Sequence, residues 1–124
     1  MAKTPVDALH RQQMQSLLES GELSDVTLVI VQGSLEQKEF KVHRNLLSAF
    51  SPVFSAMFSH PDTKEALEKR VVIEDMSSNA MQHLLTFIYT GELKFDEKEK
   101  EKSLLEFLAA IDKVNCVLTV SKLQ

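Results

Sequence analysis

The stretch Asp25-Val26-Thr27-Leu28-Val29-Ile30-Val31 constrains this chain more than any other segment. Successive side chains of a strand point to opposite faces, and here both faces are apolar and rich in β-branched residues, as in a strand covered on two sides. A chain built around such a strand needs partner strands and enough apolar helix to cover the sheet. The first partner follows at once: Gln32-Gly33-Ser34 reads as a turn, and Phe40 and Val42 alternate with Glu39 and Lys41 in a half-exposed second strand. The two are expected to form a hairpin whose tip is lengthened by the polar stretch Glu36 to Glu39. Val71-Val72-Ile73 supplies a third strand.

The helices that would cover this sheet carry start and stop signals. Thr4-Pro5-Val6-Asp7 combines a capping residue, a first-turn proline and an acid, so a helix is expected from there to about Ser20, ahead of Gly21. His10, Met14, Leu17 and Leu18 share one of its faces. His43 to Phe50 reads as a short helix with Leu46 and Leu47 apolar, and Ser51-Pro52 opens another carrying Val53, Phe54, Met57 and Phe58. His60 to Arg70 is mostly polar and is expected to be an exposed contact segment, with a helical turn at Asp62-Thr63-Lys64-Glu65. Ser77 or Ser78 caps a helix in which Met81, Leu84, Leu85 and Ile88 follow helical spacing, with Gly91 at its end. Asp96 and Glu99 resemble a capping pair for the next, whose Leu104, Phe107, Leu108 and Ile111 share a face, and Val114, Val117 and Leu118 suggest a last one. The expected fold class is mixed α/β (α+β), a small sheet flanked by a cluster of helices. One domain is expected over residues 1–124, an N-terminal helix at 1–21 and a core at 22–124.

Composition narrows the function. At 124 residues, 44% hydrophobic and 26% charged, the chain suits one globular core. A net charge of -4 argues against a phosphate-binding surface, and the alternating charges from Lys94 to Lys102 cancel, so nucleic acid is not an expected partner. The longest apolar runs, Leu28 to Val31 and Phe107 to Ile111, are far shorter than the roughly 20 residues of a membrane-spanning helix. The single cysteine, Cys116, excludes an intrachain disulfide, and no apolar signal-peptide core lies near the start, which points to a reducing compartment, cytoplasmic or nuclear. Cys116 stands among Val114, Val117 and Leu118 and reads as a buried structural thiol. His10, His43, His60 and His83 lack zinc-ligand spacing, no glycine-rich phosphate loop occurs, and no nucleophile has an evident base. The expectation is a protein-interaction module with no catalytic residues, metal or cofactor.

Three segments sharpen this: Ser24-Asp25-Val26-Thr27-Leu28, then Phe40-Lys41-Val42-His43-Arg44-Asn45-Leu46-Leu47-Ser48-Ala49, then Ser51-Pro52-Val53-Phe54-Ser55-Ala56-Met57-Phe58. With Phe87-Ile88-Tyr89-Thr90-Gly91 and Leu108-Ala109-Ala110-Ile111-Asp112-Lys113 they resemble the BTB/POZ domain family over nearly the whole chain from about Met14 onward, closest in flavour to its speckle-type, MATH-linked group. The resemblance implies a BTB/POZ fold that homodimerises and serves as a substrate adaptor for a cullin-RING ubiquitin ligase; other members recruit transcriptional corepressors or act as scaffolds without a cullin. By the same resemblance the dimer interface falls on His10, Met14, Leu17 and Leu46, with His10 where Leu is usual. Cullin contacts would fall on Phe58, Ser59, His60, Thr63, Glu65 and Val114, with Thr63 in place of an apolar anchor two residues before the Glu and Val114 where Tyr is frequent. Asp25 and Arg44 look like the charged pair that lines a pocket near the dimer seam in the zinc-finger branch. No MATH, kelch or zinc-finger module is visible, as expected of an excised domain or of one whose substrate-binding part lies on another chain.

Overall fold

A computed structural model of the chain describes residues 5–32, 36–59, 69–74 and 76–114. Its centre is the β-branched segment, which forms β1 (Val26–Gln32) and takes a neighbour on each side, β2 (Glu36–Val42) antiparallel and β3 (Arg70–Ile73) parallel. The strand order is β2-β1-β3. Val26 pairs with Val42, Leu28 with Phe40 and Val71, and Ile30 with Ile73, so one face of the sheet is continuously apolar, and all seven of these side chains are buried.

The opposite face differs from the expectation of a strand covered twice. Val29 is buried at 1% exposure, but Thr27 and Val31 are half-buried and Val72 is 56% exposed. Arg70 and Glu39, on the strands either side of β1, meet across it in an ion pair of 3.2 Å. This face is thus buried at its centre, at Val29, while its rim meets solvent. The hairpin also corrects the sequence reading: Glu36 to Glu39 are not part of the tip but are paired with Gln32 back to Val29. Ladder hydrogen bonds involve only the backbone, so polar side chains suit a strand with one wet face. The expected turn residues Gly33 and Ser34 lie outside the described residues, as does the capping Thr4.

Helices α1 (Pro5–Ser20), α2 (Arg44–Phe50), α3 (Pro52–Ser59), α4 (Ser78–Thr90) and α5 (Lys100–Val114) supply the cover. α4 is the hub, packed against α1, α2, α5 and β1. Its Met81, Leu84, Leu85 and Ile88 are buried as the spacing demands, and Phe87 and Tyr89 join them, so little of its circumference is wet. Ser77 rather than Ser78 is the cap, its hydroxyl accepting from Ala80 N–H at 3.0 Å, and Gly91 closes the helix with φ +78°. Gly21, at φ +68°, closes α1 where a Cβ would come within 3.0 Å of Lys41 Cβ.

α5 departs from the expected pattern at both ends. Asp96 caps a 3-10 turn, Glu97–Glu99, and the α-helix starts only at Lys100. Its buried side is Ser103, Phe107, Ala110, Ile111 and Val114, leaving Leu104 and Leu105 at 36% and 68% exposure. The bulk of its contact with α4 sits on Phe107, which meets Phe87 edge-on at 5.6 Å. Of the expected face, Phe107 and Ile111 are buried and Leu108 is half-buried, while Leu104 is exposed. The remainder of the expected last helix, with Val117, Leu118 and Cys116, lies outside the described residues.

Candidate protein-interaction surfaces

The first surface is made by α1 and the start of α2. α1 lies along α4 and buries Leu18 at 8% exposure. Met14 and Leu17 are half-buried, with one side on the core and the other open, and so is Leu46 of α2, whose neighbour Leu47 is fully buried. His10 is exposed, and Leu9 beside it is 54% exposed. Along α1 the expected residues therefore form a partly open apolar strip with a polar residue at one end, and Leu46 of α2 is open to the same degree.

A buried hydrogen-bond network ties the chain after α1 and the residue before α2 to α4. Tyr89 of α4 accepts from the His43 backbone N–H at 3.0 Å, and its oxygen lies 2.7 Å from His43 Nδ1, while His43 Nε2 lies 2.8 Å from the Glu22 carbonyl. All three contacts are satisfied with neutral groups when the phenol donates to Nδ1 and Nε2–H donates to Glu22. Burial pushes the Tyr89 phenol from 10.0 up to about 12; the His43 N–H bond opposes the rise and the Asp25 charge adds to it. Asp25 accepts from the Arg44 backbone N–H through Oδ1 at 2.8 Å, and its own N–H bonds to the Val42 carbonyl. Asp25 is exposed, so this carboxylate works at the surface as the cap of α2, whose N-cap residue His43 provides no side-chain cap.

The second surface lies where α3, β3 and α5 converge. Phe54 anchors α3 at 1% exposure and stacks on Phe58, whose ring centroid is 5.9 Å away. Phe58 is half-buried, with the Arg44 guanidinium 5.5 Å from its ring, and Ser59 is exposed with its hydroxyl donating to the Ser55 carbonyl. Beside them Val53, Met57, Val72 and Val114 line a cleft of about 300 Å³. Val114 is 4% exposed, so it contributes shape to the cleft floor, and its carbonyl accepts from Ser51 Oγ at 2.5 Å. That same Oγ accepts from Phe54 N–H at 3.2 Å, joining the start of α3 to the end of α5. His60, Thr63 and Glu65 lie outside the described residues.

A family model for the BTB/POZ domain matches residues 14–122. The chain belongs to the BTB/POZ family. It is similar to the BTB and MATH domain-containing protein 40 of Caenorhabditis elegans, at 37% identity over 87 residues, which are 70% of this chain and 22% of that relative. The chain thus spans about a fifth of the length of the curated relative it matches, and the relative's own BTB–MATH pairing agrees with the speckle-type flavour of the sequence. The fold, a small sheet flanked by helices, is that of a BTB domain, and such domains are protein-interaction modules. Among the described residues no group of His, Cys, Asp and Glu is placed to hold a metal ion.

Of the expected dimer residues, Met14, Leu17 and Leu46 are each half-buried against the core, and His10 is exposed; of the expected cullin residues, Val114 lines the cleft, while Phe58 packs against Phe54 and Arg44 and Ser59 ends α3. Sequence reasoning missed the Glu22–His43–Tyr89 network, because partners 46 residues apart leave no periodic signal. It also missed Val53, Met57 and Val72 as cleft residues. Their apolar character had a visible explanation in helix and strand patterning, and only the exposure of Val53 at 39% and Val72 at 56% sets them apart.

Proposed function

We propose that this BTB domain is a homodimeric substrate adaptor, pairing through α1 and α2 and docking a cullin scaffold at the end of α3, in the cytoplasm, the nucleus or both. The observation that carries the reading is the cleft beneath α3. A soluble domain gains nothing by leaving Val53, Met57 and Val72 uncovered around a concave floor, whereas a partner helix or loop would desolvate them. Val53 and Met57 of that cleft belong to the same helix as Phe58 and Ser59, and Thr63 and Glu65 follow α3 in the sequence.

Thr63 removes the apolar anchor that binding-competent relatives carry at that position, so affinity for a cullin N-terminal domain should be measurable but reduced. Thr63→Met should strengthen it, since a central desolvated side chain contributes about 2 kcal/mol or more. Isothermal calorimetry against cullin N-terminal domains tests this. If neither the wild type nor Thr63→Met binds at high micromolar concentration, the chain is instead a BTB scaffold or a corepressor-recruiting dimer.

A further inference from the structure

The connection between α1 and β1 holds a leucine in a conformation that leucine disfavours. Leu23 has φ +61° and is 87% exposed, the most exposed of the large apolar side chains among the described residues. For a residue with a Cβ the left-handed region is strained, and glycine or asparagine meets the same turn at less cost. The nearby Gly21, also at positive φ, shows the usual solution two residues earlier, where a Cβ would press on Lys41. Leu23 therefore incurs both strain and water contact, and at 87% exposure it contributes almost nothing to the core of its own chain.

The position of this knuckle gives the leucine a use. On one side Gly21 N–H bonds to the Leu17 carbonyl, and Ser24 N–H bonds back to the Gly21 carbonyl. On the other side the Glu22 carbonyl is held by His43 and Asp25 caps Arg44 at the start of α2. Leu23 is thus presented between the end of α1 and the beginning of α2, the two elements that carry Met14, Leu17 and Leu46. Resting on the dimeric reading above, we infer that Leu23 is a further anchor of the self-association surface, inserted into a second copy of this chain. The Leu23 backbone is fixed at the joint between α1 and α2, and a twofold interface buries the same residue from both chains, so two exposed leucines are covered at once.

Sedimentation of the full chain tests the inference with two variants. Leu23→Asn keeps the left-handed turn and removes the apolar side chain; it should weaken the dimer about tenfold or more. Placed in the Met14→Asp, Leu17→Asp background, the same change should leave the melting temperature unchanged or raised, because the strain is relieved and no core contact is lost. A Leu23→Asn dimer within about twofold of wild type, beside a monomeric double-aspartate variant, overturns the role of Leu23 alone. A monomeric wild type, or a double-aspartate variant that stays dimeric, overturns the interface reading and Leu23 with it. A lowered melting temperature in the aspartate background also overturns the inference, since Leu23 would then be holding its own chain together.

Discussion

His43 is a buried imidazole whose two ring nitrogens both have partners, and the partner that matters most is a single phenol. Tyr89→Phe removes the acceptor of the His43 backbone N–H and the neighbour of Nδ1 together, leaving two buried polar atoms unpaired. Unfolding in urea should show a loss of about 1–3 kcal/mol. The same residue sets an alkaline limit. Its phenol titrates at about 12 in the folded chain against 10.0 otherwise, so between those pH values the unfolded chain releases a proton that the folded chain retains. Stability should be unaffected by this group below pH 10 and should fall as pH rises toward 12. Tyr89→Phe should lack that component, so the gap between the two proteins narrows across the window when urea midpoints are compared. None of this is readable from sequence, where His43 is one histidine among four and Tyr89 is a member of an apolar helix. Family likeness suggested Asp25 as a charge partner of the Arg44 side chain, whereas its bond to the Arg44 backbone N–H is a helix-capping contact that needs the backbone in view.

At the level of elements, patterning succeeds where one signal decides and fails where two compete. α4 has a cap, a helical stripe and a terminal glycine in agreement, and it forms where they say. In α5 the expected stripe is right at Phe107 and Ile111 but not at Leu104, because the buried side also takes in the small Ser103 and Ala110, which carry no apolar signal of their own. β2 runs longer than its apolar alternation because pairing to β1 is a backbone property. The Ser51-Pro52 signal was read correctly as a helix start, yet its hydroxyl has a second role at the far end of α5 that local sequence does not encode. Ser51→Ala should therefore cost more than an ordinary cap. A cap alone accounts for roughly 1 kcal/mol, and loss of the bond to the Val114 carbonyl adds a similar amount, for a total of about 2 kcal/mol in equilibrium urea unfolding. A loss no larger than that of a surface cap would show that the α3–α5 tie is energetically idle.

For the whole molecule, the two surfaces are built from different helices, α1 with α2 on one and α3 with α5 on the other. Met14→Asp with Leu17→Asp should give monomers by sedimentation, and those monomers should keep whatever cullin affinity the wild type has, one domain per chain. An unchanged dimer would remove α1 from the interface. The sheet order carries a further consequence for how the chain reaches this state. β1 finds β2 across a connection of three residues, so the hairpin closes locally, but its other edge waits for β3, which arrives about forty residues later, after α2 and α3. Loop closure over that distance has to precede any gain from pairing. Until the crossover is complete, the backbone N–H and C=O groups along Leu28 to Ile30 form an unpaired edge flanked by apolar side chains at the centre of the future sheet. That interval is when a nascent chain is most prone to pair with another copy edge to edge, so conditions that slow the α2–α3 crossover should lower the yield of soluble protein before they lower the stability of the folded domain.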